Sequence, residues 1–274
     1  MHEVTRPKTR TKLERLKKAY RNPRSILIKI LQKGIDALRG YSYDFDKNGE
    51  KALLSRLSSP DFKVVFDVGC NVGDWSATAA SYFPAARIHC FELSESTFKT
   101  LTENLKGPNF VRNNMGMGDR DAVVEYKDYG YNSKVNTLLV DATYHDQKID
   151  FQIKRSTIRS GDSYCRENGI EQIDFLKIDV EGADHLVLEG FTELLQRQGV
   201  RVIQFEYGYT HGDARFLMRD FYRFFERHGY VVGRVQKGGI AFEDWTYKLN
   251  DFRSGPNFVA VRKSDEGMLA LLAR

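Results

Sequence analysis

Residues Val64-Val65-Phe66-Asp67-Val68-Gly69-Cys70-Asn71-Val72-Gly73-Asp74-Trp75 join an apolar run to two glycines and then to a helix-forming stretch. Such a strand ends in a tight turn that aims the N–H groups of the next helix at a ligand, and glycine lets the backbone approach it closely. A dinucleotide-binding turn carries a third small residue three places after its second glycine, for close packing of helix on strand. Ser76 holds that place and fits it imperfectly. Asp67 and Asp74 flank the turn; two carboxylates there would repel a pyrophosphate but attract a ligand bearing an ammonium and a sulfonium. S-adenosylmethionine is such a ligand.

Further chemistry lies where later strands end. Phe91-Glu92 closes a second strand, and an acid at that position accepts hydrogen bonds from ribose hydroxyls in NAD and S-adenosylmethionine sites alike. Asn113, Asn114 and Met115 leave a third strand, where a nucleobase would be bordered. After the run Ile173-Asp174-Phe175-Leu176-Lys177-Ile178 come Asp179, Glu181, Asp184 and His185. Val202-Ile203-Gln204-Phe205 then delivers Glu206, with His211 on a polar loop beyond it. Asp179, Glu181, His185, Glu206 and His211 are therefore the candidate bases for deprotonating an acceptor, with the Asp179 and Glu181 pair first. Asp179 could instead hold only cofactor or loop backbone. Asp179, Glu181 and Glu206 are also oxygen donors of the kind that suit Mg²⁺ or Mn²⁺.

The elements that must position these residues alternate. Strands at 63–68, 87–92, 109–113, 173–178 and 200–206 interleave with helices at 74–82, 95–106, 160–168, 184–189 and 213–228, and strands near 230–235 and 257–262 close the chain. The pattern predicts an α/β, Rossmann-like doubly wound sheet, whose ligands gather beyond the carboxyl ends of the strands. Residues 121–158 break the rhythm and read as a hairpin-like insertion with Tyr129, Tyr131, Asn132 and Ser133 at its tip. Aromatic residues of this insertion and of the late loops, among them Tyr207, Tyr209, Trp245 and Tyr247, are available to stack on an acceptor or to pack. The strip Leu217, Phe221, Phe224, Phe225 and His228 has helical spacing and reads as the inner face of an amphipathic helix.

With 274 residues and 41% apolar content, the chain suits one α/β domain with embellishments. Its +5 net charge is uneven: residues 1–40 hold twelve Lys or Arg against Glu3, Glu14 and Asp36, so the remainder is mildly acidic. We therefore expect a basic helical arm over 1–43, broken at Pro23, and a catalytic domain over 44–274. A basic amphipathic arm can meet an anionic membrane surface or another subunit, or can remain solvated. Cys70, Cys90 and Cys165 lack metal-ligand spacing and suit a reducing, cytoplasmic setting. No apolar run reaches the ~20 residues of a membrane span.

The three motifs Asp67-Val68-Gly69-Cys70-Asn71-Val72-Gly73, Phe91-Glu92 and Leu176-Lys177-Ile178-Asp179-Val180-Glu181-Gly182-Ala183 together resemble the FkbM-type S-adenosylmethionine-dependent methyltransferases. Asn48-Gly49-Glu50 and Asn257-Phe258-Val259-Ala260 extend the likeness over residues 44–262. The resemblance implies a seven-stranded sheet with an antiparallel last strand, and O-methylation of hydroxyls on sugars, glycans or related natural products. It assigns Asp67, Gly69, Asn71 and Gly73 to the methionine portion of the cofactor, Glu92 to the ribose, and Asn114 and Met115 to the adenine; Trp75 is a further cofactor-binding candidate. Met115-Gly116-Met117 departs from the small-residue pattern of the family.

Two other classes compete. An NAD-dependent oxidoreductase is disfavoured by Ser76, by the acidic flanks of the turn and by the lack of a suitably placed Tyr-x-x-x-Lys pair. A non-catalytic module docking on membrane or nucleic acid through its basic arm is disfavoured by the intact turn and Glu92. The mildly acidic domain offers no basic groove, so no nucleic-acid partner is expected.

Overall fold

Val64–Val68 (β1) is an interior strand of the main sheet, with both of its edges paired. It pairs in parallel with Arg87–Phe91 (β2) on one side and with Ile173–Ile178 (β7) on the other. The computed structural model describes residues 23–58, 61–145 and 149–274. Among them Phe110–Asn113 (β3), Val200–Glu206 (β8), Tyr230–Gln236 (β9), Gly239–Phe242 (β10) and Asn257–Arg262 (β11) complete an eight-stranded sheet of order β10-β9-β11-β8-β7-β1-β2-β3. The strand β11 slots antiparallel between β8 and β9. The seven expected strands with an antiparallel last one are all present. The eighth, β10, turns back on β9 as a hairpin and was not foreseen, since its four residues carry too short a pattern to read.

The helices Asp74–Tyr82 (α3), Glu95–Asn104 (α4), Gly161–Glu167 (α5), Asp184–Glu189 (α6) and Thr192–Gln196 (α7) alternate with the strands, and Glu266–Leu272 (α10) ends the chain. Glu50–Leu57 (α2) precedes the sheet and buries Leu53, Leu54 and Leu57. Alternating residues of each strand feed opposite faces. One core gathers Phe66, Phe91, Tyr164, Phe205, Phe221 and Phe258; the other gathers Leu54, Val65, Trp75, Phe175, Val202 and Val259. The helix expected over 213–228 is two, Thr210–Ala214 (α8) and Met218–Arg227 (α9), parted where Arg215 adopts a left-handed conformation. Phe221 and Phe225 of α9 pack on Phe205 as a core face, as their spacing predicts.

The insertion is a small sheet of its own. Ala122–Asp128 (β5) and Gln152–Arg159 (β6) pair antiparallel, and the short Gly116–Met117 (β4) flanks β6. The chain divides into two compact units, residues 1–41 and 42–274. In the first, the described residues form Pro23–Arg39 (α1); the helix expected before Pro23 lies outside the described residues.

Candidate functional site

The turn after β1 is held shut by its neighbour strand. The N–H groups of Gly69 and Cys70 both donate to the Phe91 carbonyl, at 3.0 and 3.1 Å. Gly69 has φ +80° and lies so close to β7 that a Cβ there would sit 1.9 Å from the Asp179 carbonyl oxygen. Gly73, at φ +91°, faces Leu105, whose side chain occupies the space a Cβ would need. Beyond this turn opens a cavity of about 490 Å³, within the usual range for a small-molecule site. Its walls include Gly69, Asn71, Asp74 and Trp75 of the turn, Phe91, Glu92 and Leu93 after β2, Gly116 and Met117 of β4, and Asp179 and Glu181 after β7.

Glu92 is buried and each of its oxygens is engaged. Oε2 accepts from the Asn71 N–H at 3.1 Å and Oε1 from the Ser94 N–H at 2.8 Å. Each oxygen keeps a second lone pair for a hydroxyl. Burial pushes the carboxyl up to about 7, against those two N–H groups.

A polar row runs under the cavity across neighbouring strands. The sheet register places Asp67 beside Lys177 and Lys177 beside Gln204, all on one face. Lys177 Nζ lies 3.5 Å from Asp67 Oδ1 and 3.1 Å from Asp179 Oδ2, with the Trp75 ring 5.6 Å away. Burial works against its charge, but Asp179, Asp67 and Glu50 more than restore it, so Lys177 stays an ammonium. Glu50 enters this row from α2: its Oε1 accepts from Gln204 Nε2 at 2.6 Å, and its Oε2 accepts from Asn48 Nδ2. Gln204 also reaches Asn257 Oδ1 at 3.3 Å. The Asn48-Gly49-Glu50 and Asn257 motifs, distant in sequence, thus meet in one buried network beside the cavity.

Asp179, Glu181 and Glu206 bring carboxylate oxygens within 4.8 Å of one another. Their surroundings drive them apart. Burial would raise Asp179, but the Lys177 ammonium and a hydrogen bond from Glu206 outweigh it and hold the carboxyl below its usual value. Glu206 is pushed far above its usual value, by burial first and then by the Asp179 and Glu181 charges. Glu206 is therefore the proton donor of that pair. Glu181 is raised by burial, with the Asp179 charge adding to it. The three lie close enough to share one cation, and Lys177 is the cation that Asp179 has beside it.

The insertion closes the far wall. Asn71 Nδ2 donates to the Ser133 carbonyl at 2.7 Å, and Thr137 Oγ1 to the Glu181 carbonyl at 3.0 Å. His145 Nε2 lies 3.3 Å from Glu181 Oε2. Asp213 of α8 accepts from the Thr143 and Tyr144 N–H groups at 2.8 and 3.0 Å, fixing the end of this loop. Glu181 itself sits at φ +54°, an uncommon conformation for a non-glycine residue, which aims its carboxylate at His145.

Of the residues expected from sequence, Gly69, Asn71, Trp75, Glu92, Asp179 and Glu181 line the cavity. The others stand elsewhere. Asp67 is fully buried beneath the turn, bonded to Ser76 Oγ at 2.7 Å, and its side chain supports the turn from behind. Asn114 bonds the Glu92 carbonyl and faces a separate groove, and Met115 packs against the core; Leu93, Gly116 and Met117 take the wall expected of Asn114 and Met115. Glu206 lies behind Asp179 as its hydrogen-bond donor. His185 stacks on Phe216 at 4.9 Å. His211 is buried with Nε2 3.3 Å from Asp184 and Nδ1 accepting from the Gly208 N–H, so it braces the loop after β8. Sequence reading missed Glu50, Lys177 and His145. A lysine inside the apolar run of β7 was a usable signal for Lys177, because a charge in a central strand needs buried partners. His145, in a loop more than thirty residues before Glu181, carried none.

A model of the methyltransferase FkbM domain matches residues 67–232. Among similar proteins, the 2-O-methyltransferase NoeI of Sinorhizobium fredii is 28% identical over 171 residues, covering 57% of this chain and 68% of its own length. The hexuronic acid methyltransferase AglP of Haloferax volcanii is 25% identical over 181 residues, covering 64% of this chain and 70% of its own. A crystal structure of an FkbM methyltransferase from Methylobacillus flagellatus aligns at 14% identity and TM-score 0.43, spanning 73% of this chain but 43% of that one. The matched segment begins at Asp67 and contains the glycine turn, Glu92, the insertion and all three clustered carboxylates, so the chain belongs to the FkbM family of S-adenosylmethionine-dependent methyltransferases.

Proposed function

We propose that the protein transfers a methyl group to a hydroxyl of a sugar, glycan or related natural product. The observation that carries this reading is Glu181: a carboxylate raised by burial, bordering the cofactor cavity and paired with His145 from the insertion. A hydroxyl must lose its proton as it attacks, and a base contributes most when its pKa is lifted toward the working pH. Glu181 meets that requirement. Asp179, held low by Lys177, is the poorer base of the group, and Glu206, raised by burial and its acidic neighbours, lies behind Asp179. His145 Nε2, 3.3 Å from Oε2, steadies the Glu181 carboxylate.

The residues present fit S-adenosylmethionine. Glu92 offers one lone pair on each oxygen to the ribose hydroxyls, while Phe91, Leu93 and Met117 provide an apolar wall for the base. Asp74, Glu50 and Asp179 make the remaining wall acid-rich, which suits the ammonium and sulfonium. The bound sulfonium supplies a methyl group already activated for attack. The chain's own residues then have to align the acceptor oxygen and exclude water. The name of NoeI, a 2-O-methyltransferase, supports transfer to oxygen, and that of AglP, a hexuronic acid methyltransferase, supports a carbohydrate acceptor, as does the polar far wall of Ser133, Lys134 and Asn136.

The test is calorimetry with S-adenosylmethionine, S-adenosylhomocysteine and NAD, followed by S-adenosylhomocysteine release with a panel of neutral and acidic sugars, with added Mg²⁺ and with chelator. Binding of both adenosyl-sulfur ligands and sugar-dependent release insensitive to chelator are expected. Binding of NAD alone would refute the reading.

A further inference from the structure

The helix α1 carries more apolar surface than a packed helix needs. Leu27, Ile28, Ile30, Leu31 and Leu38 are 56, 64, 60, 57 and 91% exposed. With 3.6 residues per turn, the aliphatic residues of Pro23–Arg39 cover an arc of about 200°, interrupted by Arg24 in the first turn. The opposite arc holds Lys29, Lys33 and Arg39, with Asp36 among them. A helix that buries one stripe against a core shows an apolar arc of roughly 100°, and a two-helix seam is narrower still. An arc twice that wide, backed by cations, has the form of a helix that lies in the plane of a membrane surface.

We infer that α1 docks the protein on an anionic phospholipid bilayer, with its aliphatic arc among the acyl chains and its lysines at the headgroups. Charge separates this occupant from the alternative of a second copy of the chain. Residues 1–40 hold twelve Lys or Arg against three acids. Pairing two such segments would bring like charges together, whereas anionic headgroups neutralise them. The flanking cations have long aliphatic stems that let the charge reach the headgroups while the stem covers apolar surface. The attachment is peripheral, since no described helix is long and apolar enough to cross a membrane.

The experiment is flotation of the full chain with vesicles of phosphatidylcholine alone and of phosphatidylcholine mixed with phosphatidylglycerol, at low and high salt. Co-flotation with the anionic vesicles alone, weakened at high salt, is expected. The double variant Leu27→Glu/Leu31→Glu should lose vesicle binding by about tenfold or more, and Lys29→Glu/Lys33→Glu should weaken the preference for anionic lipid without removing it, since ten cations against five acids remain in residues 1–40. Both should keep the melting temperature and S-adenosylhomocysteine affinity of the parent, which separates lost docking from lost fold. The inference is overturned if the chain floats with neither vesicle, if Leu27→Glu/Leu31→Glu binds as well as the parent, or if sedimentation shows a lipid-free oligomer that the same variant dissociates.

Discussion

The two walls of the cavity are built by opposite means. The wall made by β1, β2 and the turn between β1 and α3 is largely backbone: Gly69, Cys70 and Asn71 hold their places through N–H groups bonded to Phe91 and Glu92 a few ångströms away. The wall made after β7 and by the insertion is side chain on side chain, Lys177 to Asp179, Asp179 to Glu206, Glu181 to His145. A backbone wall is set by local sterics and suits a ligand that never changes. A side-chain wall can be altered one residue at a time, which suits the part of the site that meets the acceptor.

The largest effect should come from the backbone wall. Gly69→Ala places a Cβ on the Asp179 carbonyl and puts alanine at positive φ; chemical denaturation should show a loss of about 4 kcal/mol or more, or no folded protein. A folded, cofactor-binding Gly69→Ala would erase the contrast between the walls. On the other wall, Glu181→Gln should leave S-adenosylhomocysteine affinity within a few-fold of the parent while lowering turnover by about 10²–10⁴-fold. His145→Ala should follow it with a smaller loss. Equal loss of cofactor affinity in Glu181→Gln would mean that the residue serves the cofactor instead.

Glu92 joins function to an energetic cost. Below the ordinary carboxylate value of 4.5 the folded and unfolded chains are both protonated at this position, and the group is neutral to stability. As pH rises, the unfolded chain ionises first, so stability falls until the folded carboxyl has titrated near 7. Glu92→Gln removes that fall but leaves one of the Asn71 and Ser94 N–H groups without an acceptor. We expect its denaturation midpoint to drop less than the parent's between pH 5 and 8, a relative gain of about 1–2 kcal/mol, together with S-adenosylmethionine binding weakened about 30-fold or more in calorimetry. A parallel pH profile for parent and variant would show that Glu92 is not raised.

The smallest effect tests the link between the walls. Asn71→Gly relieves a positive φ and removes the bond to the Ser133 carbonyl. Faster amide exchange over residues 129–137 and an acceptor KM raised about fivefold are expected, near the 1 kcal/mol of one hydrogen bond. Unchanged exchange there would make the Asn71 to Ser133 contact incidental.

The sequence by itself determined the strand–helix alternation, the glycine turn, Glu92 and the clustering of acids after β7, because each depends on residues near one another in the chain. Periodicity marked the strands, and steric necessity marked Gly69. It also identified an insertion over 121–158 without showing what the insertion touches. Only the tertiary structure decided that Asp67 supports the turn from behind, that Lys177 balances Asp67, Asp179 and Glu50, and that His185 and His211 serve packing and the loop after β8. It likewise set three similar carboxylates apart, Asp179 held low against burial by Lys177 while burial raises Glu206 and Glu181. Those distinctions rest on burial and on partners brought from distant strands, and a carboxylate's pKa is set by the charges and solvent around it, which neighbouring letters do not reveal.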